Sequence, residues 1–107
     1  MKNSGHIWHR KKRIATSVET SGEHDLDPRI YVFGSWLWSL APRDIDLLIV
    51  YRSTGIDDIL NAVRMREQLR QNVQALLGLQ VHFVTLTQSE ETQLQFAADT
   101  RAVMLYP

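Results

Sequence analysis

The stretch from Ile30 to Tyr51, IYVFGSWLWSLAPRDIDLLIVY, sets the tightest limit on what this chain can fold into. Two apolar runs are joined by Gly34-Ser35 and a short connecting segment, and the second run opens on two carboxylates, Asp44 and Asp46. Leu47 to Val50 is apolar without interruption, which suits an interior strand better than a sheet edge. Side chains two apart on a strand share a face, so Asp44 and Asp46 point the same way. Two anions side by side next to a core are unfavourable unless a cation neutralises them. The donors are hard oxygens and the chain has no cysteine, so the expected cation is magnesium.

The remaining chain supplies one layered domain around that stretch. At 107 residues it is long enough for a single modest core. Asp27-Pro28 punctuates the sequence, and Ile30 to Phe33 reads as a first strand. Gly34 marks a sharp turn, and Ser35 is placed to cap a short helical turn through Trp36, Leu37 and Trp38 that stops near Ala41, before Pro42. A second strand spans Asp44 to Tyr51. After the loop Arg52-Ser53-Thr54-Gly55, a long helix is expected from Ile56 to Leu77, with Ile56, Ile59, Leu60, Val63, Leu69, Val73, Leu76 and Leu77 as its apolar positions. Asp57 and Asp58 suit its first turn, Gly78 suits its end, and Arg64, Arg66, Glu67 and Arg70 read as a solvated face. Leu79 to Leu86 is a third strand, a shorter helix runs from Glu90 to about Ala98, and Ala102 to Tyr106 is a last extended segment. The order defines a small mixed α/β (α+β) fold, a mixed sheet flanked by helices, over residues 30–107.

Residues 1–29 read as a polar arm. His6, His9 and Arg10-Lys11-Lys12-Arg13 form a basic cluster suited to a solvated surface or to a phosphate-bearing or acidic partner. Globally, twelve basic side chains balance twelve acidic ones, so no overall field draws the protein to nucleic acid. No apolar run approaches a membrane span and the amino terminus carries no signal-peptide core, so a cytoplasmic location is expected.

Gly34-Ser35 and Asp44/Asp46 carry more chemistry together than apart. A strand running into a helix start presents backbone N–H groups that suit phosphate, and paired carboxylates on the neighbouring strand suit a divalent ion that bridges phosphate oxygens. FGSWLWSLAPRDIDLLIVY resembles the motif of the DNA polymerase β-type nucleotidyltransferase superfamily, in particular its minimal nucleotidyltransferase branch. That motif is an apolar residue, Gly-Ser, a spacer and Asp-x-Asp; here Phe33 precedes Gly34-Ser35, eight residues intervene, and Asp44-Ile45-Asp46 follows. The resemblance covers residues 28–107, including the closing FAADTRAVMLYP.

The resemblance implies a polymerase β palm-like fold, magnesium on Asp44 and Asp46, and the triphosphate of a nucleoside triphosphate on Gly34 and Ser35. The implied reaction transfers a nucleoside monophosphate to an acceptor hydroxyl. Domains of this size in the family often act beside a small helical HEPN-type protein as its antitoxin. Three features depart from the family pattern. His82 stands where a third carboxylate is usual, and can accept a proton or ligate a metal. Leu37-Trp38-Ser39 replaces Ala-Arg-Gly, which leaves Arg43 as the nearby cation for phosphate. A helix before the first strand is not evident. Trp36 and Trp38 are candidates for an interface, for stacking on a base, or for packing on the sheet.

Overall fold

The computed structural model describes residues 26–107; the basic cluster, His6 and His9 lie outside the described residues. Four strands form one mixed sheet: β1 (Arg29–Phe33), β2 (Asp44–Tyr51), β3 (Gln80–Thr87) and β4 (Val103–Tyr106), in the order β3-β2-β1-β4. β1 runs antiparallel to both β2 and β4, whereas β2 and β3 are parallel. A parallel pair cannot be closed by a tight turn, and α1 (Ile56–Leu77) provides the long connection that it requires. α2 (Gln88–Leu94) and α3 (Phe96–Asp99) follow β3. No helix among the described residues is long and apolar enough to cross a membrane.

The uninterrupted apolar run of β2 is buried on both faces, as its sequence requires. Ile45, Leu47, Ile49 and Tyr51 turn toward α1 and join a core with Ile30, Val32, Trp36, Val81, Leu105 and the α1 residues Ala62, Met65, Leu69 and Val73. Leu48 and Val50 turn the other way and pack with Leu86, Tyr31, Phe33, Val84, Phe96 and Ala97. Phe33 and Phe96 meet edge to face, 5.0 Å between ring centres. Packing on the core extends to the residues just before β1. Leu26 and Pro28 are buried, and the Arg52 N–H donates to the Leu26 carbonyl at 2.8 Å.

α1 ends as expected, with Gly78 in the left-handed conformation (φ 65°) and its N–H on the Gln74 carbonyl at 2.9 Å. Its burial differs from the expectation. Of the apolar positions read from periodicity, Leu69 and Val73 are fully buried, and Leu77 packs at the margin of the core. Ala62 and Met65 complete the buried stripe, while Ile56, Ile59, Leu60, Val63 and Leu76 remain 38–73% exposed. At 3.6 residues per turn, Ile56, Ile59, Leu60 and Val63 form a second stripe, turned away from the one on the sheet.

The supposedly solvated face of α1 is also partly engaged. Arg70 lies over the Phe83 ring (5.0 Å to the centre) and donates to the Val81 carbonyl, while Glu67 pairs with both Arg66 and Arg70. The expected helix from Glu90 to Ala98 begins earlier and is broken. Thr87 and Glu90 form a capping box ahead of Gln88, and Gln95 turns left-handed (φ 52°) between α2 and α3. The break turns Phe96 onto the sheet.

Candidate active site

The site forms where β1 stops and β2 and β3 begin. In the sheet, Asp46 lies between Phe33 of β1 and His82 of β3, so three strands meet at its backbone. Alternation places Asp44, Asp46 and His82 on the same face as Leu48 and Val84. The start of that face is open: the Asp44 side chain is 40% exposed and the His82 side chain 55%. Ile45, between the carboxylates, is completely buried, which anchors the pair to the core.

Two features favour glycine at position 34. Its φ of +79° is a conformation that side chains disfavour, and a Cβ on it would stand 2.5 Å from Asp46 Oδ2. The Asp46 carboxylate is therefore pressed against bare backbone at the turn. Burial raises its pKa above the ordinary carboxylate value, the negative charge of Asp44 raises it further, and His82 opposes both. His82 Nε2 lies 3.4 Å from Asp44 Oδ2, so the imidazole flanks the outer carboxylate. Gln80, opposite Asp44 and exposed, joins the same face; its place two residues before His82 on a strand was the only sign of it in the sequence.

The Gly-Ser segment is tighter than expected. It is a four-residue 3-10 turn, Gly34–Leu37, rather than a helical turn reaching toward Ala41. Ser35 does not cap it. The residue before the turn is Phe33, with no side-chain cap, and the Ser35 carbonyl instead accepts the N–H groups of Trp38 (3.0 Å) and Ser39 (2.8 Å). One such turn builds little macrodipole, so the exposed Ser35 and the local backbone are what it offers a phosphate. Arg43 is exposed immediately before Asp44 and makes no ion pair among the described residues. The two tryptophans separate: Trp36 is in the core and Trp38 is 75% exposed.

Asp44 and Asp46 suit a hard divalent cation. The negative charge of Asp44 raises the free energy of charging Asp46, and a cation relieves that repulsion. No group of three or more histidine or carboxylate side chains converges on a metal position among the described residues. A magnesium ion held by one or two carboxylates and completed by water and ligand phosphates does not need such a cage. No protein-family model, curated protein or solved structure matches the chain.

Proposed function

We propose that this protein is a magnesium-dependent nucleotidyltransferase of the polymerase β-like minimal type, which moves a nucleoside monophosphate from a nucleoside triphosphate to a hydroxyl of a protein or small-molecule acceptor. The observation that carries the reading is the same-face pair Asp44 and Asp46, with the inner carboxylate against the Gly34 turn. In the reaction the acceptor oxygen attacks the α-phosphorus, the bond from that phosphorus to the bridging oxygen of the β-phosphate breaks, and pyrophosphate leaves. Magnesium, when bound, offsets charge on the phosphate oxygens. Asp44 and Asp46 hold the cation, Ser35 and Arg43 contact phosphate oxygens, and His82 receives the acceptor proton from the open side of Asp44. A substrate of this class belongs to the cytoplasm.

A second reading is favoured by one observation. The imidazole of His82 occupies the flank of Asp44, where the family places a third carboxylate. This withdraws a negative charge from the metal site and supports a binding protein on the same scaffold, such as the antitoxin partner of a HEPN-type helical protein. Incubation with labelled nucleoside triphosphates, magnesium and a candidate partner separates the two. Transfer of label by the wild type and not by Asp44→Ala/Asp46→Ala supports the transferase. No label with either protein, and equal partner binding by both, leaves the binding reading alone.

A further inference from the structure

Trp38 is exposed and stands three residues after Ser35, on the segment that leads to Asp44. Its backbone N–H is fixed on the Ser35 carbonyl at 3.0 Å, and the next N–H, of Ser39, shares that acceptor at 2.8 Å. The Ser39 hydroxyl in turn accepts the Ala41 N–H at 3.2 Å, so the segment leading to Asp44 is ordered by its own hydrogen bonds. Residues i and i+3 of such a turn stand within about 7 Å of each other at Cα. The backbone that carries Trp38, whose indole is 75% exposed, is therefore held one turn from Ser35 and six residues before Asp44. Trp36, by contrast, is 3% exposed, so the turn sends one indole into the core and the other outward.

We propose that Trp38 is the base-binding residue of this site, stacking on the nucleobase of a nucleoside triphosphate whose phosphates lie at Ser35 and whose cation lies at Asp44 and Asp46. The inference rests on the transferase reading. Stacking on an indole is tolerant of base identity because every base offers a flat π face, so the site takes purine and pyrimidine nucleotides with similar affinity. An indole carries no charge, so its contribution appears only with ligands that contain a base.

The test compares a nucleoside triphosphate with inorganic tripolyphosphate, each with magnesium, by calorimetric titration of the full chain. Wild type is expected to bind the nucleotide about five- to a hundredfold more tightly than tripolyphosphate. Trp38→Ala should bring the nucleotide down to the affinity of tripolyphosphate and leave tripolyphosphate binding unchanged, whereas Trp38→Phe should keep most of the preference. Because Trp38 is outside the core, each variant should keep the wild-type cooperative melt followed by circular dichroism, which checks that it is folded. Wild-type affinity for nucleotide in Trp38→Ala overturns the stacking role and leaves the transferase reading standing. Equal loss of both ligands in Trp38→Ala overturns it too, because it assigns Trp38 to shaping the turn. If the wild type binds neither ligand, the transferase reading fails and the stacking role with it.

Discussion

Gly34 and Asp46 act as one unit, and their coupling is measurable. Gly34→Ala places a residue in a left-handed conformation at about 1–2 kcal/mol and drives its Cβ into Asp46 Oδ2. Only the second of these effects depends on the carboxylate. The loss of stability from Gly34→Ala should therefore be smaller in an Asp46→Ala background, and a denaturation double-mutant cycle reads the difference. The raised pKa of Asp46 has its own consequence. A carboxylic acid whose pKa is higher folded than unfolded favours the fold most when protonated, and that contribution is lost as pH rises through the folded pKa. Asp46→Asn should thus raise the melting temperature at pH 7, with the gain vanishing as pH falls below the ordinary carboxylate value of 3.8. Thermal melts across that range check the sign. Magnesium that relieves the same repulsion should stabilise the wild type and not this variant. The pairing of Asp44 with Asp46 was legible from period two alone. That Asp46 is the member against the Gly34 turn was not, because it depends on how the end of β1 meets β2.

At the scale of elements, β2 and α1 declare themselves because each is long and ends in strong chemistry: carboxylates and a loop for one, Gly78 for the other. The face that α1 buries was not legible. Ile56, Ile59, Leu60 and Val63 give a stronger apolar signal than Ala62, yet the sheet accepts the small Ala62 beside Met65, Leu69 and Val73. Close packing selects shape as well as hydrophobicity, and periodicity reports only the latter. The two stripes should differ sharply in energy. Leu69→Ala is expected to lower stability by about 2–5 kcal/mol in urea denaturation, because it opens a cavity in the core. Leu60→Ser, on the exposed stripe, should change it by about 0.5 kcal/mol or less. Equal losses at the two positions would mean that the exposed stripe is covered in solution. The break at Gln95 was equally hidden, since glutamine has no preference for the left-handed conformation in which it caps α2, its N–H on the Glu91 carbonyl.

At the scale of the molecule, the candidate site belongs to no single element. Gly34 follows β1, the carboxylates open β2, and His82 and Gln80 come from β3 after the whole of α1 has intervened. Register binds them together. A slip of one residue between β2 and β3 would turn His82 to the opposite face and leave Asp44 without its neighbour. The site is therefore present only in the folded sheet, and a ligand that occupies it must stabilise the whole domain by mass action. With magnesium and a nucleoside triphosphate at about a hundredfold over Kd, the stabilisation should be about 2.7 kcal/mol. For a domain of this size that is a rise of roughly 10–20 °C in melting temperature, scaled from about 4–8 °C per kcal/mol. Asp44→Ala/Asp46→Ala should show none of it, and Ile59→Ser, away from the site on α1, should show all of it. A rise of the same size in the double variant would place the nucleotide elsewhere on the protein. It would also separate ligand binding from the acidic pair on which the transferase reading depends.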